Sequence, residues 1–258
     1  MSDCVIVNRE DSVATVTVNR PEKRNAMDIP TRKELRAAFE DVADEDEVRA
    51  VVLRGAGDGA FIAGGDIESF SEFDHMEAME YVTKHAQGLY NYVANLPKPT
   101  IAAVDGPALG GGTEISLACD IRLASEDALF GLPEVTIGVL PAGGGTQRLQ
   151  QAVGTGMAKE LVLTGRVVKA NEAEDIGLIN HVYPSEEFED EVNAMTEQLT
   201  SQAPVAQRMA KAAMNRGLSE EAGLDFERVA GSFLFSTEDR KEGIEAFLED
   251  REAEYRGR

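Results

Sequence analysis

Cysteine, histidine and basic side chains are scarce in this chain of 258 residues, and each shortage narrows what the chain can do. Its two cysteines, Cys4 and Cys119, are too few for a disulfide framework or a metal cluster, so both are expected as reduced, packed thiols. Three histidines, His75, His85 and His181, lack H-x-x-x-H or nearby carboxylate spacing, so surface or loop positions are expected and a metal site is not. Lys and Arg number 25 against 47 Asp and Glu, a formal charge of −22. Duplex nucleic acid is a polyanion whose binding needs clustered cations, so a nucleic-acid partner is not expected. No run of about 18 apolar residues is available for a membrane helix. The start, Met1-Ser2-Asp3-Cys4-Val5, has no basic stretch leading into an apolar one, and a cytoplasmic protein is the expectation.

High net charge also accompanies disorder, but a hydrophobic content of 43% argues for a folded core. The acidic residues are spread along the chain, densest at Glu40-Asp41 and Asp44-Glu45-Asp46-Glu47. Self-repulsion on this scale is tolerable in brine, where the Debye length falls from about 10 Å at 0.1 M to about 3 Å at 1 M salt. A halophilic source is the expectation drawn from the charge.

Alternation at Val5, Val7 and again from Val13 to Val18 predicts two strands with a turn at Glu10-Asp11. Asp28, Pro30 and the apolar positions Leu35, Ala38, Phe39 and Val42 predict a capped amphipathic helix. Ala50 to Leu53, Thr100 to Val104 and Ile121 to Ala124 read as short strands, apolar almost throughout. Met79, Val82, Ala86, Leu89 and Val93 read as one helical stripe, ended by Pro97 and Pro99. Strands of this kind alternating with helices predict an α/β fold with the sheet covered on both faces. From about Glu186 four helical segments follow, broken near Pro204, Gly217 and Ser236. The expected organisation is an α/β core over 1–195 and a helical C-terminal region over 196–258.

Three glycine-rich stretches fail as phosphate loops. Gly138 to Gly145 lacks the following Lys-Ser/Thr, and Ile115 occupies the third glycine of a G-x-G-x-x-G pattern begun at Gly110. No G-x-S-x-G nucleophile elbow occurs. What remains is a pair of backbone features and a pair of glutamates. Small residues in Phe61-Ile62-Ala63-Gly64-Gly65-Asp66-Ile67 let a main-chain N–H approach a ligand. Gly106 to Glu114 places glycines at a helix N-terminus, where free N–H groups point outward. Two such donors on one oxygen would form an oxyanion hole. Glu114 lies one turn beyond Gly111 and is open to two readings, a helix-cap carboxylate or a catalytic one. Glu134, in Phe130-Gly131-Leu132-Pro133-Glu134-Val135, is either a turn residue or a desolvated carboxyl poised for proton transfer.

These segments together resemble the crotonase (enoyl-CoA hydratase/isomerase) family. Phe61 to Ile67 resembles its first oxyanion motif, Gly106 to Glu114 its second, and Phe130 to Leu149 its catalytic segment. Asn19-Arg20-Pro21 with Asn25-Ala26-Met27, Leu163 to Leu178, and Ser236 to Phe247 extend the match in order over nearly the whole chain. The resemblance implies a spiral of ββα units and a helical C-terminal part used in assembly as a homotrimer or a dimer of trimers. It implies syn addition of water to a 2-enoyl-CoA thioester, with Gly65 and Gly111 donating to the thioester oxygen. Glu114 would activate water and Glu134 would protonate C2. Ala63, Asp66, Ile67 and Arg24 would contact coenzyme A, which is part of the substrate. No metal and no cofactor would be required. Isomerases of the family commonly keep one of the two glutamates, so the pair favours hydration over double-bond migration, and over an idle acyl-CoA-binding role. Gly65 stands where alanine is common, and Glu68 where lysine is frequent.

Overall fold

The computed structural model describes residues 4–70, 72–216, 233–234, 237–249 and 251–258. The predicted third C-terminal segment, beyond Gly217, lies outside the described residues.

Six strands form the main sheet: β1 (Val5–Glu10), β2 (Val13–Val18), β3 (Ala50–Gly55), β4 (Thr100–Val104), β6 (Ile121–Ser125) and β9 (His181–Tyr183), in the order β1-β2-β3-β4-β6-β9. Only β1 runs antiparallel to its neighbour, paired Val5 to Val18 through Glu10 to Val13. The other four pairings are parallel. Side chains alternate across a strand, so a continuous apolar run must bury both faces. Ala102, Val104, Val51 and Leu53 enter the main core on one face, while Ile101, Ala103, Val52 and Leu123 pack on the other with Phe188 and Val192. Those last two lie on a helix at Phe188–Thr200, which runs unbroken across residue 195. The first of the C-terminal helices therefore packs on the sheet itself.

Three short strands, β5 (Pro107–Leu109), β7 (Leu129–Gly131) and β8 (Val167–Lys169), make a second sheet ordered β5-β7-β8. The chain thus repeats a unit: β4 leads to β5 and then to a helix at Gly111–Ala118, and β6 leads to β7 and then to a turn at Pro133–Ile137. The segments that follow β5 and β7 reach the same side of the molecule, where Gly111, Glu114 and Glu134 meet. Thr113 locks the arrangement: its hydroxyl donates to Ala108 O at 2.6 Å, and Gly131 N–H donates to it at 3.1 Å, joining the helix to both β5 and β7.

The capped helix α1 spans Ile29–Asp44. Asp28 Oδ1 accepts from Thr31 N–H at 2.8 Å, satisfying a helix-start donor that has no partner within the helix. Leu35, Ala38, Phe39 and Val42 are all buried, as their spacing predicts. The stripe from Met79 to Val93 differs from expectation at one end. Ala86, Leu89 and Val93 are buried, but Met79 is 53% exposed. The reason is a π-helical segment at Tyr81–Gln87, between helical turns at His75–Glu80 and Gly88–Ala94. Its wider turn shifts the side-chain register and rotates the preceding face outward. Cys119 is buried, Cys4 is half-buried, and neither is in a disulfide. His75 and His181 are exposed; His85 is half-buried within the π segment. No helix among the described residues is long and apolar enough to cross a membrane.

Candidate active site

The segment Phe61 to Asp66 is pinned from two sides. Leu109 N–H donates to Ile62 O at 3.1 Å on the β5 side, and Met27 N–H donates to Gly64 O at 2.8 Å on the other. Asp66 N–H returns to Met27 O at 3.2 Å. In a parallel bridge the residue between two such bonds points its own N–H the opposite way, and here that residue is Gly65. Gly65 consequently turns its amide from the ladder toward the interior. Gly111 opens the helix Gly111–Ala118, where the first N–H groups have no partner within the helix. Glycine is required around it. Gly110 has φ of 51°, and a methyl built on Gly112 would overlap the carbonyl oxygen of Ile62. The two donor segments are therefore in backbone contact: a methyl built on Gly111 would lie 3.5 Å from Gly65 N.

Gly65, Gly111, Glu114 and Glu134 all line one cavity of about 300 Å³. Its remaining wall is largely apolar or aromatic, including Phe70, Phe73, Tyr81 and Leu140.

Glu114 is 5% exposed and does not cap its own helix. Its Oε1 accepts from Gly143 N–H at 2.7 Å and from Gly145 N–H at 2.9 Å, tying the helix to the glycine loop that follows Glu134. Burial pushes this carboxyl above its ordinary range, and the two amides pull it back toward ionisation. Glu134 sits in the 3-10 turn Pro133–Ile137, closed by Gly138 in the left-handed region. Burial pushes it up to about 7, with the charge of Glu114 adding to the effect. Its Oε2 is buried without a hydrogen-bond partner among the described residues. Both carboxyls are thus shifted toward their protonated forms, and the proton between them belongs to the pair.

The four expected coenzyme A contacts lie apart from this cavity's lining. Arg24 is exposed, with φ of 53°, and its carbonyl accepts from Ala63 N–H at 3.1 Å. Asp66 pairs with Arg20 Nη2 at 3.3 Å, and Ile67 is 54% exposed. Glu68, where lysine is frequent in the family, pairs with Lys23 at 3.1 Å. Ala63, Asp66 and Ile67 flank Gly65 in sequence, and Arg24 joins them through the Ala63 bond. Sequence reasoning missed three others. Arg32, Tyr81 and Tyr90 cluster beside the two glycines, and only the placement of Arg32 on the same helical face as Leu35, Phe39 and Val42 signals it. No group of three or more His, Cys, Asp or Glu among the described residues could hold a metal ion.

Stacked ββα units that converge backbone amides and two carboxyls on one cavity define a protein of the crotonase fold. The chain belongs to the enoyl-CoA hydratase/isomerase family, whose sequence profile matches residues 8–258. It is 43% identical over 252 residues to a short-chain-enoyl-CoA hydratase of Clostridium acetobutylicum, covering 97% of this chain and 96% of that protein. It is 40% identical over 253 residues to a crotonyl-CoA hydratase of Syntrophomonas wolfei, covering 97% of each. The crystal structure of an enoyl-CoA hydratase from Bacillus anthracis superimposes with a TM-score of 0.94 at 37% identity, covering 99% of this chain and 100% of that one.

Proposed function

We infer that the protein is an enoyl-CoA hydratase, adding water across the double bond of a 2-enoyl-CoA thioester to give a 3-hydroxyacyl-CoA. The observation that carries the reading is the convergence of two glycines at oxyanion-motif positions, one buried carboxyl and one half-buried carboxyl on one cavity. Attack of water at C3 of a conjugated thioester moves negative charge onto the carbonyl oxygen. Amides of Gly65 and Gly111 aimed at that oxygen bind the enolate more strongly than the ground-state carbonyl, which is what lowers a barrier. Glu114 has one oxygen held by two amides, and its other oxygen takes the proton from water. Glu134, lifted to about 7 by burial, delivers a proton to C2. With both carboxyls in one cavity, hydroxyl and proton add from the same face. Only water and protons are exchanged, so the chemistry calls for neither a metal nor a redox cofactor. The strip of Arg24, Ala63, Asp66 and Ile67 is the proposed contact for coenzyme A, supported by the chain continuity of Ala63, Asp66 and Ile67 with Gly65 and by the Ala63 N–H bond to Arg24 O.

The purified protein is expected to bleach the near-ultraviolet absorbance of the conjugated thioester in crotonyl-CoA. A protein that binds crotonyl-CoA without bleaching it would overturn the assignment. We further propose a cytoplasmic homotrimer or dimer of trimers, assembled through 196–258, in a salt-adapted cell. Light scattering and activity followed from low to molar KCl are expected to show trimer or hexamer mass and full turnover only at high salt. Full turnover at low salt would remove the halophilic reading.

A further inference from the structure

Arg32 is an unusual occupant of its position. It sits on α1 among buried apolar side chains, is 3% exposed, and lines the cavity that holds both glutamates. Its guanidinium carbon stands 5.3 Å from the ring centres of both Tyr81 and Tyr90. Nη1 donates to Tyr90 Oη at 2.7 Å, and Nε is buried with no partner among the described residues. Burying a cation is costly unless its donors and charge are matched. Two ring faces, one phenol oxygen and the nearby Glu114 carboxyl face it, yet Nε and Nη2 make no hydrogen bond among the described residues. Structural packing alone would be served better by leucine or methionine, so the charge needs another explanation.

The position of the remaining nitrogen supplies one. A methyl built on Gly111 would lie 3.3 Å from Arg32 Nη2, and one built on Gly65 would lie 3.7 Å from the same atom. The free end of Arg32 thus borders the same small volume as the two glycines. We propose that Arg32 is a third donor to the thioester oxygen, a charged one, that strengthens as the enolate forms. The proposal rests on the hydratase reading and extends its oxyanion hole from two neutral amides to two amides and a guanidinium. Stacking on Tyr81 and the bond to Tyr90 hold the fork in place before substrate arrives, so little reorganisation accompanies the reaction.

The test compares Arg32→Gln and Arg32→Lys with wild type. For each we would measure crotonyl-CoA turnover and binding of two probes. Acetoacetyl-CoA ionises to an enolate that is read by its absorbance, and butyryl-CoA offers only a neutral carbonyl. In Arg32→Gln, kcat is expected to fall about 10²-fold, as for loss of one oxyanion donor. The affinity for enolate relative to butyryl-CoA should fall by at least tenfold, and KM by less than about threefold either way. Arg32→Lys, which keeps the charge and loses the planar fork, is expected to fall between Gln and wild type on the same ratio. In any variant that folds, an unchanged ratio, or equal weakening of both probes, overturns the proposal and makes Arg32 a packing residue. Loss confined to 2-enoyl thioesters bearing a terminal carboxylate overturns it too, because the arginine would then be reading the acyl chain. Wild type that fails to hydrate crotonyl-CoA at all refutes the hydratase reading; normal wild-type turnover with an indifferent Arg32 refutes this inference alone.

Discussion

Replacing Glu134 with glutamine is expected to lower kcat for crotonyl-CoA about 10³-fold and, in the same protein, to raise the thermal midpoint at pH 8. The rate loss follows from removing a positioned proton donor, a contribution of about 10²–10⁴ in comparable cases. The gain in stability follows from burial. Glu134 is held up to about 7, above the ordinary carboxyl range of an unfolded chain, so the native protein binds its proton more tightly than the unfolded one. The stability this proton confers is complete at pH 4 and is lost as the pH rises through about 7. Glutamine cannot ionise, so its advantage should be largest at pH 8 and shrink toward pH 5. In wild type, kcat/KM should decline above about pH 7 as Glu134 loses its proton. Stopped-flow assays and melting curves across pH 5–8 check both halves. A glutamine variant with wild-type turnover would remove Glu134 from the chemistry, and one less stable than wild type at pH 8 would contradict the burial argument.

The second large effect is expected from a single methyl. Gly112→Ala should lower kcat/KM about 10³-fold without touching any reacting group. The added carbon would overlap Ile62 O, an atom that also accepts from Leu109 N–H, so the carbonyl cannot swing aside without breaking a bond between the two segments. The helix start has to retreat instead. That movement separates the Gly111 amide from the Gly65 amide and carries Glu114, one turn later, with it. Loss of one oxyanion donor costs about 10²–10³, and misplacement by about 1 Å can add a comparable factor. Overpacking of this kind also costs about 1–3 kcal/mol of stability, measurable by denaturant unfolding. Gly156→Ala is the control, because a methyl there meets nothing within 4 Å; it should leave the rate unchanged. Wild-type kinetics in Gly112→Ala would show that the two segments are not held in the register described.

Much of the fold was legible because its long elements carry strong periodicity. The α1 stripe and the doubly buried strands β3, β4 and β6 needed only residue spacing. The three-residue strands β5, β7 and β8 did not announce themselves, since three residues are too few to display an alternation. The π segment leaves no mark either: its wider turn depends on packing, so spacing alone places Met79 on the stripe with Ala86 and Leu89. At the site, Gly65, Gly111, Glu114 and Glu134 were reached through ordered motifs, and the structure brings all four to one cavity. Spacing alone could not tell a capping Glu114 from a catalytic one, because the deciding partners, Gly143 and Gly145, are about thirty residues away. Arg32 was passed over for the converse reason. A charged residue within an amphipathic helix reads as its wet face until its neighbours on the stripe are counted.

The donors of Gly65 and Gly111 are atoms every amino acid except proline carries. Base changes at those codons can crowd or tilt the grip, yet almost none can erase it. Heritable variation around this cavity therefore acts on what becomes of the captured anion, through the acids and the walls, far more readily than on its capture. A scaffold with that asymmetry can exchange one reaction for another while its central device persists.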